Sequence, residues 1–371
     1  MQVRVPAIVE RVLAANRDYP AAVRDALLRL RDELAGDAPL PALVSDAPGS
    51  REFQRALAAR QGESWLATDW FFAETYAYRA LVERVGFWQS QRDPFRPIKL
   101  EEYASTAHAQ ALGAALELGG ARDEHLHALF GLALFGNRID LSFAASLERG
   151  LGVDADDWLA DDREAAVRAS LERSGPIHVI CDNAGTELTL DLVLADFLVH
   201  ELAAEVVLHV KLHPTFVSDA IVADVEDFLG IGSRNFGALP EAARGFQARL
   251  AAAVRAGRVR VAPDPFWNSS EALWEMPEAL EREFARARLV ILKGDANYRR
   301  ALNDALWPED TPFTAATEYF PAPLLALRTL KSDPLVGLRP GEADALKVRD
   351  PNFRVNGKRG VASLGGHLPP E

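Results

Sequence analysis

From residue 176 onward, short apolar runs alternate with amphipathic segments, and this constrains the fold more than any other feature of the chain. PIHVICD at 176–182 is followed at once by 187–203, where Leu188, Leu192, Ala195, Leu198 and Leu202 recur at helical spacing. VVLHV at 206–210 precedes a helix expected from about Ser218, and RVRVA at 258–262 precedes one over 270–286. LVIL at 289–292 then leads into a helix over 297–306, and PLLAL at 323–327 closes the series. Strands separated by helices must cross over and run parallel, which buries their sheet on both faces. The expectation is α/β: an α/β/α sandwich with a mostly parallel, Rossmann-like sheet. The stretch 353–361 predicts a terminal hairpin around Asn356 and Gly357.

Before this alternation the pattern is different. Segments 7–16, 21–35, 51–60, 70–85 and 105–118 carry Ala, Leu, Arg and Glu at three- and four-residue spacing, with almost no β-branched runs. Pro and Gly punctuate them, at Gly36, Pro48, Gly49, Pro94 and Pro97. An all-helical N-terminal domain over 1–160 should therefore precede an α/β domain over 161–371, with the change falling between 143 and 175.

Charge and cysteine content remove several function classes. With 41 basic and 54 acidic residues the formal net charge is −13, and no basic cluster offers the contacts that a phosphate backbone needs. No nucleic-acid partner is expected. A single cysteine, Cys181, excludes an internal disulfide framework and a cysteine zinc site. Even the greasiest stretch, 188–210, contains Asp191, Asp196, Glu201 and Glu205, so no membrane partner is expected either. The reading is a soluble cytoplasmic protein, and the sequence sets no oligomeric state.

In an open α/β sheet, ligands bind outside the carboxyl ends of the strands. Those ends carry Asp182 and Asn183; Lys211 to Asp219; Asp264; Lys293 to Arg299; and Arg328 to Lys331. Three of only six lysines in the chain, Lys211, Lys293 and Lys331, fall there. One strand-end Asp is most simply a helix cap; several convergent polar ends point to a site. Asp182, Asn183 and Asp219 offer oxygen ligands that suit Mg²⁺ or Mn²⁺ by hardness. Lys293, Arg299, Arg328 and Lys331 can neutralise phosphate oxygens. The chain lacks the phosphate loop of nucleotide hydrolases, the dinucleotide glycine fingerprint, the nucleophile elbow and the H-E-x-x-H zinc motif. His209 is expected to be packed mid-strand, and His213 to lie at the surface or to support the metal loop indirectly.

The strand ends, with WFFAETYAYR at 70–79, GNRIDLS at 136–142, CDNAGTE at 181–187 and DLVLAD at 191–196, resemble the metal-dependent damage-control phosphatases grouped with acidic-residue methyltransferase-like proteins. KLHPTFVSD at 211–219, KGDANYR at 293–299 and RTLK at 328–331 continue the resemblance, which runs in order from about residue 65 to 363. The last segment is similar to the RTxK signature of the sugar-phosphate subfamily III. The resemblance implies one divalent metal (Mn²⁺, Ni²⁺ or Co²⁺, with Mg²⁺ also admissible) on Asp182, Asn183 and Asp219, which are thereby the catalytic residues. It implies substrate contacts at Glu187, at Asp295, Asn297 and Arg299, and at Lys331; for a sugar phosphate, Asn137, Asp295 and Asn297 can hydrogen-bond the polyol, and Arg328 joins them by its charge.

The activity expected is hydrolysis of small phosphomonoesters, sugar phosphates such as fructose 1-phosphate above all. The alternative is an S-adenosylmethionine-dependent carboxyl O-methyltransferase acting on protein glutamates. The single Gly185 after the first strand and the idle metal triad count against that alternative.

Overall fold

The computed structural model describes residues 1–43, 45–135, 157–232 and 241–368. Among these residues, seven strands form one sheet: β1 (Trp158–Asp161), β2 (Ile177–Ile180), β3 (Val206–Lys211), β4 (Val259–Asp264), β5 (Leu289–Lys293), β6 (Pro323–Thr329) and β7 (Gly360–Gly366). Their order is β1-β7-β6-β5-β2-β3-β4. The pairs β2–β3, β2–β5, β5–β6 and β1–β7 are parallel, and β6–β7 is antiparallel. Every residue of β2, β3, β5, β6 and β7 is buried, as a doubly covered sheet requires. The mixed α/β expectation holds.

Three sequence expectations are corrected. The terminal hairpin does not form: 353–357 is turn, and 360–366 instead pairs along β6 from Pro323↔Gly366 to Thr329↔Gly360. An Asn-Gly turn signal is local, whereas the long apolar edge of β6 supplies seven register positions to pair with. The helix expected over 270–286 is one short 3₁₀ turn, Leu273–Glu275, followed by Glu278–Phe284, because Pro277 can open a helix but not sit inside one. The helix after β5 begins at Gly294, three residues earlier than expected, and ends at Ala301. β1 lies in the acidic stretch that gave no strand signal.

The chain divides into two compact units. The first comprises Met1–Glu102, Val210–Val222 and Pro263–Ser270; the second comprises Tyr103–His209, Ala223–Ala262 and Glu271–Glu371. The first unit is helical over its N-terminal hundred residues, with Asp69 capping Trp70–Arg84 by accepting from the Phe72 N–H at 2.8 Å. Its core joins Val9, Leu27, Leu30, Trp65, Phe72 and Tyr76. In the second unit, helix Thr186–His200 is buried nearly all round and packs on Thr106–Glu117, Arg122–Phe135 and Glu241–Arg255. The two helices 106–117 and 122–135, which precede residue 160, thus belong to the second unit.

Candidate metal and phosphate site

The strand order reverses between β2 and β5. The chain passes from β2 outward to β3 and β4, then returns to lay β5 on the other side of β2. Such a switch point opens a crevice at the carboxyl ends of the two strands. The register pairs Ile180 with Leu292, so the chain leaves both strands at one level. Asp182 therefore comes to lie beside Gly294. A Cβ at Gly294 would sit 2.0 Å from Asp182 Oδ2, and its φ of +80° is itself a conformation that favours glycine. Gly185, with φ +76° and ψ −141°, makes the turn into helix Thr186–His200.

Around Asp182 the second unit builds a buried polar network. Asn183 Nδ2 donates to Asp182 Oδ2 at 2.8 Å and to Glu187 Oε2 at 2.9 Å. Lys293 Nζ donates to Glu187 Oε1 at 3.0 Å, to Asp191 Oδ1 at 2.8 Å and to the Ala133 carbonyl at 2.5 Å. Those are all three protons of an ammonium. The expectation that Lys293 meets phosphate is corrected accordingly: it is fully buried and its donors are committed to the protein. Burial opposes the charge on Lys293, but Asp191 and Glu187 outweigh it and its pKa is raised. Burial also pushes Asp191 up to about 7, against the attraction of Lys293. Asn297 Nδ2 donates to the Cys181 and Lys293 carbonyls, at 3.2 and 2.9 Å, and so ties the ends of β2 and β5 together.

A second cluster forms at the carboxyl end of β6. Arg328 is buried, with its Nε donating to Asp295 Oδ1 at 2.7 Å and its Nη groups to the Pro334 and Ser332 carbonyls and Ser332 Oγ. Its guanidinium also lies over the Tyr298 ring, 4.3 Å from the centroid. Asp295 Oδ1 accepts in addition from the Lys331 backbone N–H at 3.3 Å. The side chain of Lys331 is exposed. Arg328 thus braces the loop that carries Lys331. Arg299 pairs through two nitrogens with Asp304, at 2.6 and 2.8 Å.

Asp219 belongs to the first unit, in the loop that follows β3. It is buried, with its Oδ2 3.4 Å from Lys211 Nζ, while its carbonyl accepts from Lys99 Nζ at 2.9 Å. The loop is held by Asn268, whose Oδ1 accepts from the Leu212 N–H at 2.8 Å and whose Nδ2 donates to the His213 carbonyl at 2.9 Å. Phe216 and Val217 both have positive φ, +47° and +71°. For a β-branched residue that is backbone strain of the kind that persists where surrounding structure over-determines it. Phe216 is anchored on Tyr78, with 5.2 Å between ring centroids. His213 is buried and kept neutral, its pKa pushed down to about 3 by burial, with Arg79 adding to the effect. The surface position allowed for it is corrected, because Asn268 and the Trp88 ring enclose it.

The second unit thus connects Asp182, Asn183 and Glu187 with one another, and Asp295 with Arg328 and Lys331. Asn297 joins strand ends, Arg299 is engaged with Asp304, and Asn137 lies outside the described residues. Sequence reasoning missed Asn268 and the Lys293–Asp191 pair. The scarcity of lysine was the only available signal for Lys293, and for Asn268 there was none.

Polar side chains gathered at the switch point of a mostly parallel sheet stand where α/β proteins bind their ligands. Residues 1–346 match the family model described as the damage-control phosphatase ARMT1-like domain. The damage-control phosphatase ARMT1 of Rattus norvegicus is 32% identical, over 92% of this chain and 86% of the relative. That of Homo sapiens is 28% identical over the same shares. Among solved structures, a DUF89 family protein from Pyrococcus horikoshii superposes with a TM-score of 0.52 at 17% identity, covering 98% of both chains, a likeness of fold. The chain belongs to the damage-control phosphatase ARMT1-like family, and its enzyme class is phosphatase. Methyl transfer is not favoured by these relatives. Among the described residues, no helix is long and apolar enough to cross a membrane.

Proposed function

We propose that this phosphatase hydrolyses small sugar phosphates, fructose 1-phosphate among them, in the cytoplasm, with one divalent cation held by Asp182, Asn183 and Asp219. The observation that carries the reading is the seating of the Asp182 carboxylate over Gly294 at the switch point, in space a single Cβ would fill. The donor chemistry fits a hard cation. Asn183 spends its amide nitrogen on two carboxylates, so its oxygen is the atom of ligand type, and Asp182 and Asp219 add carboxylates. Mn²⁺, Co²⁺, Ni²⁺ and Mg²⁺ all accept such donors. When bound, the ion supplies charge neutralisation at the phosphoryl group and a water acidified for attack.

The residues of the chain do the rest by positioning. Phosphoryl transfer needs alignment and charge neutralisation more than covalent help. Lys331 extends a compact ammonium from a loop braced by Arg328 and Asp295, and takes the phosphoryl oxygens. Arg328 serves the substrate through that loop. Glu187, pinned by Lys293 and Asn183, is a carboxylate of fixed orientation suited to steer the attacking water. Asn137 offers the polyol a donor and an acceptor, Asp295 and Asn297 offer acceptor oxygens, and Arg299 adds positive charge.

Phosphate release from a panel of small sugar phosphates, with and without Mn²⁺, tests the reading, with methyl transfer from S-adenosylmethionine assayed in parallel. Metal-dependent release without a methyl donor is the expected result. Full activity in chelator, or methyl transfer without phosphate release, overturns it.

A further inference from the structure

Away from the strand ends, the second unit holds a different polar cluster. His178 lies on β2 and His209 on β3, in the parallel register His178↔Val207 and Ile180↔His209, which puts both imidazoles on one face of the sheet. Both are buried. The rings are inclined by 21°, and His178 Nδ1 lies 2.9 Å from His209 Nε2. Glu283, next to last in helix Glu278–Phe284, brings its Oε1 to 3.9 Å from His178 Nδ1. One ligand atom from each of the three residues lies within 4.8 Å of the others.

We propose that His178, His209 and Glu283 form a second cation site, for a borderline transition-metal ion of the Zn²⁺ or Co²⁺ type. Nitrogen-rich donors of this sort select such ions over Mg²⁺, Ca²⁺ and Mn²⁺, which prefer all-oxygen sets. Two imidazoles at about 2.0–2.1 Å from a tetrahedral ion stand a little over 3 Å apart, so the pair needs to open by only a few tenths of an ångström. Burial keeps both rings neutral, which is the ligating form. Each ring then carries its proton on the nitrogen facing away from the ion. Phe284 contacts both rings, at 5.3 and 5.1 Å between centroids, and walls the site against bulk water. Glu283 is partly exposed and gives the ion a way in.

Arg260, on β4, pairs with Glu283 and is half exposed. It is the group the ion displaces, since it can swing into water whereas the histidines cannot. The alternative is a hydrogen-bonded imidazole pair with no affinity for metal, and the two make different predictions.

The test uses the full chain carrying Asp182→Ala, which removes a ligand of the site proposed for catalysis, titrated with Co²⁺ and followed by visible absorption. Saturable uptake of one ion, with the intense absorption of a low-coordinate nitrogen–oxygen site, is expected. In that background Glu283→Gln should weaken uptake by more than the roughly tenfold cost of losing even a supporting contact, and His178→Gln should abolish it. Glu283→Gln changes a partly exposed side chain and keeps the test decisive if His178→Gln fails to fold. No Co²⁺ uptake in Asp182→Ala, or uptake indifferent to Glu283→Gln, overturns the proposal. Phosphate release by Glu283→Gln in Mn²⁺ should match wild type, so a failure of the phosphatase reading is seen separately.

Discussion

Two buried polar clusters of the second unit solve the same problem in opposite ways. At the switch point, Lys293, Glu187 and Asp191 keep charge inside the protein by matching it, with every ammonium proton given an acceptor. On the sheet face, His178 and His209 avoid charge: desolvation lowers both pKa values, to about 4 for His178. Burial penalises an unpaired charge severely, and which solution a site adopts depends on what it must present. A group that must hold a fixed carboxylate next to a crevice needs a counter-ion. A group that must offer a lone pair needs neutrality.

The comparison can be broken at either cluster. The largest effect should come from Asp182→Ala, which removes a proposed metal ligand: kcat/KM falls by about a thousandfold or more, while the fold is kept. Retained turnover in a phosphate-release assay would take Asp182 out of the reaction. Next, Lys293→Met leaves two carboxylates buried without their cation and should cost about 3–5 kcal/mol in denaturant unfolding. A loss below about 1 kcal/mol would mean that the network is solvated in solution. The cost should also shrink at low pH, as Asp191 takes up a proton.

The neutral cluster gives a pH signature. The folded-state pKa of His178 is depressed from 6.5 to about 4, so its contribution is full above 6.5 and is lost as pH falls toward 4. The groups facing it are His209, Glu283 and Phe284, with Arg260 reinforcing the neutral form. A shift of that size corresponds to about 3 kcal/mol. Unfolding free energies of His178→Gln should therefore fall less steeply than wild type across that window; parallel curves would show that the ring titrates normally. The smallest effect is that of Lys331→Ala, with kcat/KM lower by about a hundredfold and stability changed by no more than about 0.5 kcal/mol. Lys331→Arg should rescue poorly, since a planar fork does not replace a compact ammonium; full rescue would reassign the residue to general electrostatics.

Alternating apolar runs and amphipathic segments were enough to read β2, β3, β5 and β6, because a doubly covered parallel strand has to be apolar along its whole length. The same sequence placed Asp182, Asn183, Glu187, Asp295, Arg328 and Lys331 at strand ends, since chain position alone says which residues come next after a strand. It could not say which strands are neighbours. That β5 returns to lie against β2, seating Asp182 over Gly294, depends on pairing between segments more than a hundred residues apart. Nor could it separate a lysine that meets solvent from one enclosed by carboxylates: Lys331 and Lys293 both follow an apolar run, and only packing exposes one and buries the other. β7 shows the same limit, for its turn signal promised a hairpin and the free edge of β6 claimed the strand instead. Local patterning is written in neighbouring residues, because it answers to backbone geometry and to the sign of the hydrophobic effect. Register, neighbour choice and the fate of each buried charge answer to contacts between distant segments, and those exist only once the chain has folded.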